Sequence, residues 1–176
     1  GKRGFVRAIG DALEFEDGTP ARFWGTNITA YGLFHTPDNA VVHHAKRLAK
    51  LGFNLVRFTH HDSDWVEFNI FGLQRDYTGE LNDIAFEKLD WWIKCLKDEG
   101  IYVWLDLHVG RKFGRDEGIA DFEEIGAGEA RAEIRGFNYV NRDIQRLMQK
   151  FNKDYLTHVN KYTQIAYGQD PAIIAY

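Results

Sequence analysis

With 176 residues, 44% of them hydrophobic and 15% aromatic, and with only three prolines, the chain has the composition of a folded domain rather than a disordered segment. A net charge of -4 speaks against nucleic acid or an anionic membrane as a partner, and no apolar run reaches the ~20 residues of a membrane span. The single cysteine, Cys95, excludes an internal disulfide and falls in a helical pattern, where it reads as a small core residue rather than a reactive thiol.

Residues 5–9, 12–16 and 21–24 read as short strands, separated by Gly10-Asp11 and Asp17-Gly18, both suited to hairpin turns. Trp24 to Ile28 is a further short strand that ends in polar residues. Thr36 is placed to N-cap a helix with Pro37 at its first position. Val41, Ala45, Leu48 and Ala49 mark one face of that helix, and Gly52 stops it. Residues 53–58 follow as an apolar strand. The order then repeats. Asn82 or Asp83 caps a helix whose inner face is Phe86, Leu89, Ile93 and Leu96, Gly100 closes it, and residues 101–107 form the next strand. Its near-continuous apolar run suits a parallel strand covered on both sides. A third helix is expected from Arg142 to Ile165, on the spacing of Ile144, Leu147, Met148, Phe151, Tyr155, Val159 and Tyr162. Asp170-Pro171 then turns the chain into a last apolar strand over 172–176.

Strands alternating with helices mean an α/β fold with a parallel sheet, and no glycine-rich phosphate loop follows any strand, which counts against a dinucleotide-binding domain. In such folds the active site lies at the C-terminal ends of the strands. Those positions hold Thr26 and Asn27, then Arg57 to Asp62, then Asp106 and His108. Arg57 interrupts an apolar strand, where an unpaired guanidinium is costly to bury, so it reads as the holder of a carboxylate or a substrate hydroxyl. Asp106 and His108 are alternate residues sharing one face. His108 is a candidate for the site floor, and Asp106 either lines the site or fixes a neighbour. Among the strand-end aromatics Tyr31, Phe34, Trp65, Phe68 and Phe71, Trp65 is the best candidate for a sugar platform. Trp91, Trp92 and Trp104 sit on elements and read as core. His35, His43, His44 and His158 read as solvated or structural. Residues 109–141 form a long, charged, glycine-rich loop above the strand ends, read as a lid or cleft wall, with a turn or two of helix over 121–135.

Several stretches resemble one family. Phe15 to Asn27 (FEDGTPARFWGTN), Leu48 to Arg57 (LAKLGFNLVR), Gly100 to His108 (GIYVWLDLH), and His158-Val159-Asn160 with Asp170-Pro171-Ala172-Ile173 are similar, in order and spacing, to the cellulase-type enzymes of glycoside hydrolase family 5. The resemblance implies a (β/α)8 TIM barrel, of which a chain this long is about the first half, since a whole barrel takes ~250 residues. It divides the chain into an N-terminal β-hairpin region (1–22) packing on the barrel and a barrel segment (23–176) ending near strand four. By resemblance Arg57 corresponds to the arginine that steadies the nucleophilic carboxylate, His108 to the active-site histidine after strand three, and Asn27 lies on the same floor. The substrate-contacting set is then Asn27, His60, His61, Trp65 and Asp106. The family's two catalytic glutamates follow strands four and seven, so both are expected after Tyr176.

The resemblance implies a retaining, endo-type hydrolase of β-linked glycans without cofactor or metal, its C-terminal half supplied as further chain or as a second chain, and a secreted or extracytoplasmic location, with a cytoplasmic one left open. The alternative is a non-catalytic half-barrel that binds carbohydrate or a partner chain, because an uncovered half barrel exposes strand edges and an apolar face. A metal-dependent barrel hydrolase using His60, His61, Asp106 and His108 is the third reading. It lacks a His-x-His pair, and adjacent extended residues point to opposite faces.

Overall fold

The structure is a computed structural model and describes residues 1–73 and 77–176. A β-hairpin of β1 (Val6–Ile9) and β2 (Ala12–Phe15) opens the chain. Residues 21–24, expected as a third short strand, are instead an extended link. By hydrogen bond only the Ala21 amide reaches the hairpin, donating to the Leu13 carbonyl; the Trp24 amide donates to Asn54 Oδ1, the Trp24 carbonyl accepts from the Asn54 amide, and Asn54 Nδ2 donates to the Arg22 carbonyl.

The main sheet has four parallel strands: β3 (Gly25–Thr29), β4 (Leu55–Thr59), β5 (Tyr102–Leu105) and β8 (Ile173–Ala175), in that spatial order. Its crossovers carry α1 (Ala30–His35), α2 (Asp38–Lys50), α3 (Asp83–Asp98) and α5 (Arg142–Thr157). Val56, Phe58, Val103 and Leu105 point to the helices and, with Leu33, Val41, Ala45, Leu89, Ile93 and Phe151, form the principal core. The opposite face is open. Asn27, Arg57 and Trp104 are aligned across three strands, and all three are exposed. Trp104, read from sequence as core, is 42% exposed. It belongs to the alternate set of side chains that a closed barrel would turn inward. At the N-terminal end of this face the hairpin packs through Phe15 and the link through Phe23, each with its ring 5.3–5.5 Å from Tyr102.

Two helix boundaries differ from expectation. Thr36 does not cap α2; its hydroxyl donates to the Gly32 carbonyl, tying off α1, a short helix that the sequence pattern did not reveal. The third helix, α5, ends at Thr157 rather than Ile165. Buried Asp90 of α3 accepts from His158 Nε2, the Lys161 amide and the Tyr167 hydroxyl, while Asn160 Oδ1 accepts from the Tyr162 and Thr163 amides. Those bonds take the backbone out of the helix, and Val159, expected on its buried face, is 51% exposed. Asn82 caps α3 as expected, accepting from the Ala85 amide.

Residues 109–141 are a small packed unit rather than a loose lid. They hold β6 (Phe113–Gly114) paired antiparallel with β7 (Arg131–Ala132), the one-turn helix α4 (Phe122–Ile125) between them, and a short 3-10 helix, Arg135–Tyr139. The expected helix within 121–135 is therefore confined to α4. Phe113, Ile119, Phe122 and Ile134 pack on Ile144 and Leu147 of α5 as a second core. Arg111, 1% exposed, locks the unit to the segment that precedes α3. Its Nε donates to Thr78 Oγ1, its Nη2 to the Thr78 carbonyl, and its guanidinium lies 4.4 Å from the Phe113 ring. Glu117 completes the lock by accepting from the Thr78 and Gly114 amides.

Candidate active site

The polar residues singled out from sequence converge at the C-terminal ends of β4 and β5. Arg57 and Asp106 share the open face, and Arg57 Nε donates to Asp106 Oδ1 at 2.8 Å. Arg57 Nη2 comes equally close to Oδ2 but off the hydrogen-bonding line. The Asp106 bond, and to a lesser degree its charge, hold the Arg57 pKa above its ordinary value against the opposing effect of burial. The Arg57 side chain remains 44% exposed, so the rest of its donor fork faces the open side of the sheet.

His108 lies two residues beyond Asp106. Its Nε2 is 2.8 Å from Asn152 Oδ1, and its ring sits 4.7 Å from that of Phe151. With a carbonyl oxygen opposite Nε2, that nitrogen carries the proton. Nδ1 is buried with no hydrogen-bond partner within the described residues. Burial is the chief cause that brings the His108 pKa down to about 4, the nearby Arg111 adding to it and Asp62 opposing it. His108 is therefore neutral near pH 7, a hydrogen-bonding group and not a cation.

The adjacent histidines separate. His60 sits in the left-handed region (φ 60°), a conformation His adopts more readily than most residues yet at some cost in strain. That turn sends the two side chains apart. His60 Nδ1 is 2.8 Å from Ser63 Oγ, with its ring 5.6 Å from that of Trp65. His61 is wholly buried, stacked 5.2 Å from Tyr155, and neither ring nitrogen has a hydrogen-bond partner among the described residues. Burial lowers its pKa despite the opposing charges of Asp62 and Asp106. His61, expected to touch substrate, is thus not brought to the open face, because a flat ring beside Tyr155 and Phe151 completes the helix-facing core. The same separation breaks up the four-residue metal set of the third reading. Among the described residues no three His, Cys, Asp or Glu side chains are grouped to hold a metal.

Trp65 is 61% exposed and stands with His60 at one wall of a groove of about 430 Å³ whose other wall is Val109, Gly110, Lys112, Glu133 and Arg135. Asp62, only 1% exposed, binds the walls together by accepting from the Val109 and Gly110 amides at 2.8 and 2.9 Å. Asp64 does the same from the side, facing Arg131 at 2.9 Å and Lys112 at 3.3 Å. Partial burial pushes its pKa up, but the two cations outweigh this and leave it below the ordinary value. These pairings were not legible in sequence. Asp62 was legible only as the last of the polar residues after β4, and these partners of Asp62 and Asp64 lie more than forty residues away.

Several solved structures share this arrangement of strands and helices. An endo-1,4-β-mannanase from Rhizomucor miehei superposes with a TM-score of 0.71 at 18% identity, over 98% of this chain and 48% of that one. A glycoside hydrolase family 5 mannosidase from the same organism gives 0.67 at 17% identity, over 99% and 49%. The chain has the fold of half a glycoside hydrolase family 5 barrel. An endo-β-1,4-mannanase from Thermotoga petrophila extends the likeness at 21% identity and a TM-score of 0.57, over 88% of this chain and 34% of that one. No family model and no curated protein sequence matches the chain. The chain spans about half the length of the two Rhizomucor miehei structures. Within this half barrel, Asn27 and Arg57 share one row of the open face, Asp106 joins Arg57 at the end of β5, and His108 follows it, packed on Phe151 and Asn152 of α5. His60 and Trp65 line the groove, and His61 is buried in the core.

Proposed function

We propose that this half barrel belongs to a retaining, endo-acting glycoside hydrolase of β-linked glycans. Its general acid/base and its nucleophile would be glutamates lying beyond Tyr176 in the whole protein. The observation that carries this reading is the Arg57–Asp106 pair at the strand ends of a sheet superposing on two endo-mannanases and a family 5 mannosidase. Asp106 orients the guanidinium through Nε, and the donors left over can steady a carboxylate arriving from the other half of the barrel. Neutral His108 offers hydrogen bonding without adding positive charge near the acid/base. Asn27, on the same row as Arg57, presents an amide to substrate hydroxyls. The chemistry itself needs two carboxyl groups ~5 Å apart, one attacking the anomeric carbon while the other protonates the leaving oxygen and later activates water.

The open face, with Trp104 exposed, and the outer edges of β3 and β8 are the surfaces the remaining strands would cover. β-Mannan is the first substrate to try, since the superposed structures include mannanases. The test is NMR of the intact protein acting on β-manno- and cello-oligosaccharides, following the anomeric signal of the first product formed. Retention supports the reading. Inversion, or no cleavage of any β-glycan, refutes it.

A further inference from the structure

The groove beside Trp65 carries more than an exposed aromatic, because both of its walls are fixed in place. The Trp65 ring is braced by His60, which is itself held by Ser63. The facing wall is tied across by the Asp62 carboxylate and by Asp64. The backbones come so close that a Cβ on Gly110 would lie 2.2 Å from Ser63 Oγ, so only glycine permits the approach. The groove's volume, about 430 Å³, lies within the range of small-molecule sites.

Its charges are matched. Lys112 and Arg131 face Asp64, and Arg135 pairs with Glu133. The Glu133 and Arg135 side chains are 50% and 37% exposed, so one acceptor group and one donor fork stand side by side on the rim. An aromatic face opposite such a pair suits a neutral pyranose, whose apolar face stacks while its vicinal hydroxyls need both a donor and an acceptor. Arg135 also opens the short helix whose Phe137 and Tyr139 are 42% and 86% exposed. A glycan leaving the groove along that helix meets further aromatic surface.

We infer that this groove is a remote subsite for a neutral sugar unit of a glycan chain, with Trp65 as its platform and Glu133 and Arg135 as the residues that select hydroxyl configuration. The inference rests on the glycosidase reading above and extends it to a place that the floor residues do not reach. It assigns the 109–141 unit a role in holding long substrate.

Titration calorimetry of the intact protein with thio-linked manno- and cello-hexasaccharides, whose sulfur linkages resist hydrolysis, and with the corresponding disaccharides tests the subsite independently of catalysis. The unaltered protein is expected to bind a hexasaccharide more tightly than its disaccharide. Trp65→Ala and Arg135→Ala are each expected to weaken hexasaccharide binding by about tenfold, as befits the loss of one stacking or charged contact. Glu133→Gln is expected to change the preference between manno- and cello-chains. No hexasaccharide binding by the unaltered protein, or binding unchanged in both alanine variants, overturns the subsite. Binding lost as expected in a protein that cleaves no β-glycan keeps the subsite and overturns only the glycosidase reading.

Discussion

Replacing His108 with Gln should remove a specific part of the protein's sensitivity to acid. In the folded state the His108 pKa lies at about 4, chiefly through burial, whereas an unfolded chain restores the ordinary histidine value of about 6.5. Between these values the unfolded state binds a proton that the folded state does not. Stability therefore rises with pH across the window and falls as pH drops from about 6.5 to about 4. A gap of that size corresponds to about 3 kcal/mol at full expression, of which about 2 kcal/mol is developed at pH 4.5. Glutamine carries an amide that can still donate to Asn152 Oδ1, but it does not titrate. Urea unfolding of both proteins at pH 7 and pH 4.5 measures the effect. The histidine protein should lose about 2 kcal/mol more than the glutamine variant over that interval, whatever the carboxylates and His61 contribute to both. Parallel losses in the two proteins, within about 0.5 kcal/mol, would refute the claim that His108 is buried in its neutral form.

Three further substitutions probe the framework around the site. Asp62→Asn should cost about 3 kcal/mol in urea unfolding, because two charge-assisted bonds from the Val109 and Gly110 amides are weakened at a buried position; a loss under about 1 kcal/mol would mean that the walls are held by something else. Gly110→Ala should destabilise by about 1–3 kcal/mol as its methyl group meets Ser63, and a thermal midpoint equal to that of the unaltered protein would show that the loops have room to part. Tyr155→Phe removes a buried hydroxyl with no hydrogen-bond partner among the described residues and should leave stability unchanged or raise it by about 1 kcal/mol; a loss of about 2 kcal/mol would reveal a partner for that hydroxyl.

Much of the architecture is legible along the chain, because parallel strands and amphipathic helices announce themselves in neighbouring residues. The run from Ile101 to Leu107 and the spacing of Phe86, Leu89, Ile93 and Leu96 are local patterns, and each yields the element expected. Arg57, Asp106 and His108 are legible for the same reason, as polar groups at the ends of apolar strands. Patterns of this kind say that a side chain lies on one face or the other, but not which face will be covered. Trp104 and Val103 are adjacent in one strand, and only the docking of the helices decides that Val103 is buried and Trp104 open. His60 and His61 are equally ambiguous until the positive φ at His60 turns one outward and stacks the other on Tyr155.

The remaining decisions are made by contacts between residues far apart in sequence. Asp90 draws in His158, Lys161 and Tyr167 and so ends the last helix early. Arg111 reaches Thr78 and Glu117 and so turns residues 109–141 into a packed wall. Asp62 and Asp64 bring that wall against the Trp65 loop. The sequence by itself therefore determined the alternation of strands and helices and the polar floor at the strand ends. Tertiary structure alone decided which face stays open, where the last crossover helix stops and that a groove exists, because burial and charge pairing depend on neighbours in space that no local periodicity encodes.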